Sequence, residues 1–435
     1  MNMKLPFSRE GMMLHLDDNL DYEILESSIE SMPKTGKTED ELVLEAMEHP
    51  IGSPKLSELS RGKQKIVIIC SDHTRPVPSK HIIPFMLKEI REGNPQADIT
   101  LLIATGFHRA TSREELIGKF GEEIVNQEKI AVHDSQNIDD MVNLGTLPSG
   151  APLLINKIAA EADLLVSEGF IETHFFAGFS GGRKSVLPGV SSAVTVLGNH
   201  CSAFIDSPYS RTGVLENNPI HRDMVAASKM ANQKYIVNVI IDADKKIVHA
   251  VAGDAMEAHA AGCRFLQQYC QVIPKKPADI AISTNGGYPL DQNMYQSVKG
   301  MTAAEAACKN GGIIIMVSNC GDGHGGEGFY QALKNCDSPQ SLMDEILKIP
   351  QDETKPDQWE YQIQSRILMH HKVIYVMCEE YRAMAEEMGF ETASDVNEAL
   401  KRALDETGSG AHIAVIPDGV SVMVEKNQRG ESQEF

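Results

Sequence analysis

A chain of 435 residues is long enough for two or three average domains, and with 42% hydrophobic and 23% charged residues it has the balance of an ordinary globular protein with a sizeable core. Its 40 Lys and Arg stand against 61 Asp and Glu, a formal net charge of −21, so the surface field repels phosphate backbones and anionic membranes and disfavours a nucleic-acid partner. No apolar run approaches the roughly 18 residues of a membrane span, the first residues lack the apolar centre of a signal peptide, and eight scattered Cys form no C-x-x-C pair. These features predict a cytoplasmic protein with free thiols and no membrane partner.

Continuous runs rich in Ile and Val recur at 65–72, 99–106, 162–169, 234–241, 278–285, 312–319, 372–379 and 412–419. Such runs read as strands covered on both faces, hence as parallel sheets between helices. Helices are predicted between them over 79–93, 153–162, 256–270 and 393–406, with capping boxes at Ser112/Glu115 and Thr302/Glu305 marking helix starts. Strand and helix alternation predicts a doubly wound α/β architecture. The segment 271–279, with two prolines and two lysines, divides the chain into an N-terminal α/β domain over 1–275 and a C-terminal one over 276–410. The last run, 412–419, could extend the second sheet or cross back; residues 411–435 are predicted to pack back on the first domain, because the ends of an inserted domain tend to lie together, and the polar tail 425–435 to fray.

In parallel α/β sheets, ligands bind outside the carboxyl ends of the strands. Those ends are unusually polar here: Ser71-Asp72-His73-Thr74-Arg75-Pro76 after the first run, Gly106-Phe107-His108-Arg109 after the second, and Glu168 through His174 after the third. A single loop histidine or arginine is more often solvated or capping than functional, but three successive strands deliver cations and histidines to one edge. The loop 177–190 follows, rich in glycines that let a backbone approach a ligand. It is not a P-loop, since Arg183 stands where that motif needs Gly before the lysine. Lys184 is then either a point charge on a phosphate or a covalent attachment point, its amine activated by desolvation or by the neighbouring Arg183. A G-x-G-x-x-G spacing at 321–326 raises a nicotinamide reading, yet the stretch about twenty residues on, DSPQSLMDEI, looks helical and offers no strand ending in an acidic residue. It reads instead as an active-site or hinge loop.

Four stretches together carry a family resemblance: SDHTRPVP at 71–78, ATGFHR at 104–109, GFSGGRKSVLPG at 178–189 and GGYPLDQNMYQSVKGMTA at 286–303. In order and spacing they resemble the nickel-dependent lactate racemases and their 2-hydroxy acid relatives, over about residues 10–425. The resemblance implies two α/β domains with mainly parallel sheets and the active site in the cleft between them. It implies a nickel-pincer nucleotide, pyridinium-3-thioamide-5-thiocarboxylic acid mononucleotide carrying nickel, joined covalently to Lys184, with His200 as the protein's nickel ligand, in keeping with a square-planar Ni(II) site that takes a nitrogen donor. His108 and His174 match the acid/base pair: one takes the hydroxyl proton while the C2 hydrogen leaves as hydride to the cofactor, and the other returns a proton on the opposite face. Arg75, Tyr295, Gln296, Lys299 and Trp359 match substrate-binding positions, and Asp72, Thr74 and Ser180 match cofactor-binding ones, Asp72 through a ribose hydroxyl or by orienting a neighbouring group. Cofactor-assembly proteins are implied as transient partners, and an apo state is compatible with the resemblance. The expected activity is racemisation of lactate. The alternatives are another 2-hydroxy acid (aromatic, dicarboxylic or a sugar acid), a nicotinamide-dependent 2-hydroxy acid dehydrogenase, and a nickel-nucleotide carrier without catalysis.

Overall fold

The computed structural model describes residues 1–32 and 35–425; the tail from 426 onward, expected to fray, lies outside the described residues. Each of the eight apolar runs contains a strand. The first sheet has the spatial order Ile247–Asp254, Gln233–Ile241, Leu164–Phe170, Lys65–Ser71, Asp98–Ala104, Lys129–Val132, and only its edge strand Ile247–Asp254 is antiparallel. The second, wholly parallel, runs Glu391–Ala393, Lys372–Val376, Cys308–Val317, Ala278–Thr284, His412–Ile416, Asp21–Ile24.

The lack of alternation in the strands has the expected cause. In Lys65–Ser71, Ile66 and Ile68 pack with Val43, Met47, Met86 and Ile90 of the helices Glu39–Glu48 and Ile83–Gly93. Val67 and Ile69 enter a different cluster on the opposite face with Val186, Leu187 and Val190. The second sheet repeats this: Ile280, Ile315, Ile374 and Val415 pack with Val396, Ala399 and Ala403 of the helix Val396–Thr407, while Ala281, Ile314 and Tyr375 join the helices Met294–Ala307 and Gln358–His370. The inner faces of both sheets share one apolar cluster, so the two units are buried against each other.

Three expectations are corrected. The strand His412–Ile416 does not pack back on the first sheet; it lies between Ala278–Thr284 and Asp21–Ile24. All five of its residues are buried, so it needs a neighbour on each side, and His412 is held by Asp21 at 3.1 Å and Glu23 at 2.9 Å. Asp21–Ile24 thus belongs to the second sheet, and the chain reaches back to the first unit only after His412–Ile416, where Thr173 donates to the Val420 carbonyl at 2.7 Å and Met423–Val424 pairs with Gln271–Val272. The segment 153–162 is mostly not helical: Pro152–Asn156 pairs antiparallel with Met141–Thr146, and a single turn Lys157–Ala160 follows. Its buried Leu153 and Ile155 have the period of two that marks a strand. Ser112 and Glu115 do form a capping box, but Thr302 lies inside the helix Met294–Ala307, whose N-cap is Asn293. Glu305 instead forms two bonds, 2.7 and 2.8 Å, with Arg366.

Candidate active site

At the end of Lys65–Ser71 the chain turns so that Thr74 donates its hydroxyl to Asp72 Oδ1 at 2.8 Å, while His108 Nδ1 lies 2.7 Å from Asp72 Oδ2. Asp72 is 1% exposed. Burial pushes its carboxyl up, but the His108 and Thr74 hydrogen bonds and the charges of His108 and Arg75 outweigh this and hold it below its usual value. The carboxylate therefore fixes the proton of His108 on Nδ1 and leaves Nε2 with its lone pair. Lys119, whose charge burial disfavours, donates to the carbonyls of Arg75 and Val77 at 3.2 and 3.3 Å. The Arg75 loop is thus held at its backbone. Glu168 ties the strand ends together, accepting from the Ser71 amide and hydroxyl at 2.8 Å each and from Ser79 at 3.2 Å.

The glycine-rich loop is built around Arg183, which is fully buried. Its guanidinium reaches the carbonyl of Ala177 at 2.8 Å, His221 Nδ1 at 3.0 Å and His259 Nε2 at 3.0 Å, with longer bonds to the carbonyls of Ser180 and Gly181. Gly182 must be glycine: its φ is +53° and a Cβ would lie 2.6 Å from the His259 ring. This folding turns the next residue, Lys184, to the cleft. Burial, with the charges of Arg183, Arg75 and Lys299, holds the Lys184 amine well below its usual value, and among the described residues no acceptor engages its Nζ. The Ser180 hydroxyl braces its own loop, accepting from the Glu172 amide at 3.0 Å.

His174 sits on the two-residue strand Thr173–His174, its Nδ1 accepting from the Ala177 amide at 3.3 Å. Burial, then the charges of Lys184, Lys299 and Arg75, keep its ring well below the usual imidazole value, so the neutral ring carries its proton on Nε2. The two histidines are therefore held in opposite tautomers: His108 with a free lone pair at Nε2, His174 with a proton there. From His174 a line of ring contacts crosses the cleft: Phe176 at 4.6 Å, then His200 at 5.1 Å from Phe176, Trp359 at 5.1 Å from His200, and Phe107 at 6.4 Å from Trp359. Trp359 is thereby a cleft residue rather than a surface aromatic. His200 caps the helix Ala193–Asn199 and donates Nδ1 to the Val196 carbonyl at 2.9 Å; burial, with the charge of Lys184, lowers its pKa to about 3.

The second unit contributes the start of Met294–Ala307. The amides of Met294 and Tyr295 donate to the carbonyls of Gly323 and His324, both at 3.1 Å, so the glycine spacing at 321–326 supports this helix end. Lys299 donates to Gln296 Oε1 at 2.7 Å. The Tyr295 phenol has Asp357 and Trp359 as side-chain partners, and burial and the nearby Glu360 push it well above its usual value. Gly300, beside Lys299, lets the helix touch the sheet, since a Cβ there would lie 2.4 Å from the Thr284 carbonyl. Gly300→Ala should push this helix outward, lowering stability by about 1–3 kcal/mol, which a thermal melt checks.

Arg75, Lys184 and Lys299 all bear on His174 and on Glu172, so residues of both units converge on one cleft. The sequence reading gave no role to Glu172 or Glu360, acidic groups inside this cationic site, and did not pair Asp72 with His108. The spacing of single carboxylates in a loop and a helix carries no pattern that would have marked them.

The comparisons place these two α/β units and the cleft between them among the isomerases. Residues 7–213 match the lactate racemase N-terminal domain and residues 273–424 the lactate racemase C-terminal domain, and the chain belongs to the lactate racemase family. It is 54% identical over 97% of its length to lactate racemase of Thermoanaerobacterium thermosaccharolyticum, covering 99% of that protein, and 54% identical over 89% of its length to lactate racemase of Lactiplantibacillus plantarum, covering 91%. The structure of the lactate racemase apoprotein from T. thermosaccharolyticum superposes with a TM-score of 0.94 at 53% identity, covering 98% of this chain and 100% of that one. A Thermotoga maritima protein shares the fold at a TM-score of 0.62 and 16% identity, over 89% of this chain and 97% of that one.

Proposed function

We propose that this chain racemises a short 2-hydroxy acid, lactate first, using a nickel-pincer nucleotide tethered to Lys184 with His200 as the nickel's protein ligand. The observation that carries the reading is the pair of histidines fixed in opposite tautomers beside a buried, unengaged lysine. The residues fit the group. His200 spends Nδ1 on the Val196 carbonyl, leaving Nε2 for a metal, the arrangement that orients a ligating imidazole. No cluster of three His, Cys, Asp or Glu that could hold a metal occurs among the described residues, which suits a metal whose other ligands belong to the nucleotide. When bound, that group supplies a reversible acceptor for the C2 hydrogen.

The chain's own residues supply the proton chemistry and the binding. His108 Nε2, its ring held by Asp72, takes the hydroxyl proton of one enantiomer, while His174 Nε2–H serves the opposite face; the roles exchange for the other enantiomer. A positioned imidazole on each side of the substrate carbon is what general acid/base catalysis of a racemisation needs. Arg75 and Lys299, with Gln296, bind the substrate carboxylate, each charge-assisted hydrogen bond worth about 1.5–3 kcal/mol. In this reading Tyr295 and Trp359 lie beside the substrate. Thr74 supports Asp72, whose part is to orient His108. The assembly proteins that build the nucleotide are the transient partners, and no helix among the described residues is long and apolar enough to cross a membrane, which accords with a cytoplasmic site of action.

The test is co-expression with the nucleotide-assembly proteins, then polarimetry on L- and D-lactate. Equilibration from either side with no net oxidation supports the reading. Net conversion to the keto acid that depends on added NAD overturns it in favour of a dehydrogenase, and another 2-hydroxy acid racemised faster moves the substrate within the class.

A further inference from the structure

Behind the proposed substrate subsite lies a buried carboxyl group that this chemistry does not use. Glu360, next to Trp359 in the helix Gln358–His370, is 2% exposed, and its Oε2 has no hydrogen-bond partner. Lys299 faces it from the helix Met294–Ala307, as does Tyr295; Asp357 stands at the start of its own helix, and Tyr375 lies on the adjoining strand. Lys299 is faced in turn by Arg75 and Glu172 from the first unit. An ionised carboxylate needs two or three donors in so buried a place, and here one oxygen has none. The Lys299 ammonium, whose charge acts on Glu360, is instead bonded to Gln296 at 2.7 Å.

We infer that Glu360 is a positioning residue: it holds a proton in the resting site, which leaves the Lys299 and Arg75 charges free for an incoming carboxylate, and on losing that proton to solvent it draws the ammonium away from the substrate. The inference rests on the reading that Lys299 binds the substrate carboxylate. Desolvation of the Glu360 carboxyl, only partly offset by Lys299, favours the protonated form at neutral pH. The sign follows. As pH rises through the Glu360 ionisation, a second negative charge enters beside the anion's own site, so substrate KM rises on the alkaline side while kcat moves less.

Infrared spectroscopy of the full chain with 13C-labelled glutamate reads the proton directly. The wild type should show a protonated-carboxyl C=O band at neutral pH that disappears in the alkaline range and is absent from Glu360→Gln. Over the same range lactate KM should rise about tenfold, near the worth of one charge-assisted hydrogen bond, in the loaded wild type, and stay flat in Glu360→Gln. Lys299→Met removes the attraction that favours the carboxylate, so its band should persist to higher pH, a check that stands even if the Gln variant folds poorly. No band at neutral pH, or KM profiles of wild type and Glu360→Gln that rise together, overturns the inference. The band needs neither nickel nor substrate, so a titrating band without lactate turnover strikes the proposed activity and not the assignment of the proton to Glu360.

Discussion

Lys184→Ala protein, co-expressed with the nucleotide-assembly proteins, should emerge without a covalent adduct and without stoichiometric nickel, and should not racemise lactate at all. An amine becomes a competent nucleophile when it is uncharged, and desolvation beside another cation is one route to that state. Lys184 has both conditions: burial and the adjacent Arg183 hold it well below its usual value. Alanine removes the only atom that could form the thioamide. The loop should survive the change, because its bonds run through Arg183, Ser180 and Asn238 rather than through the lysine. Intact-protein mass, nickel analysis and a thermal melt therefore give three separate readings, and an active, nickel-loaded Lys184→Ala protein of unchanged melting temperature would remove the tether from the mechanism.

His108→Ala and His174→Ala should each lower kcat/KM for lactate by about 10²–10⁴-fold, the usual worth of one positioned acid or base, while the adduct mass and nickel content stay at wild-type levels. On the proposed reading each histidine acts as base in one direction and acid in the other. Because the equilibrium constant between enantiomers cannot change, kcat/KM must fall by the same factor for D- and L-lactate in either variant. A variant impaired in one direction only would point to a net reaction rather than a racemisation. The two should differ in stability. His108 is part-exposed, and its loss removes a hydrogen-bond donor to the buried Asp72. His174 packs on Phe175 and Phe176 at 5.2 and 4.6 Å, so its truncation also opens space beside the ring line to His200.

What the sequence made legible was whatever rests on local pattern. Eight strands show as apolar runs because both faces of each sheet are covered, and the residues at their ends point to the cleft because parallel sheets place ligands there. Segment 153–162 misled because the Ala-rich stretch after Asn156 raises helix propensity across a strand whose partner, Met141–Thr146, is found only in space. Thr302 and Glu305 have the spacing of a capping box, yet Asn293 begins the helix nine residues earlier and Arg366 takes the glutamate. Glu360 was invisible for another reason: its meaning comes from the missing donors around one oxygen, and no spacing records an absence. The strand His412–Ile416 was assigned to the wrong sheet because adjacency of termini is a weaker rule than the need of a fully buried strand for two neighbours.

That strand bears on how the protein is made. The first sheet draws on one continuous stretch, Lys65 to Asp254, and all of it has left the ribosome while more than a hundred residues are still to come. The second sheet joins Asp21–Ile24 to His412–Ile416, so its N-terminal edge has no neighbour until nearly the whole chain exists. Closing a loop of that length makes this pairing slow relative to local structure, and until then an edge strand and the apolar face beneath it stay open to other chains. Synthesis therefore sets the order of assembly, with the lysine-bearing half standing first and the half that carries Lys299 and Trp359 completed last.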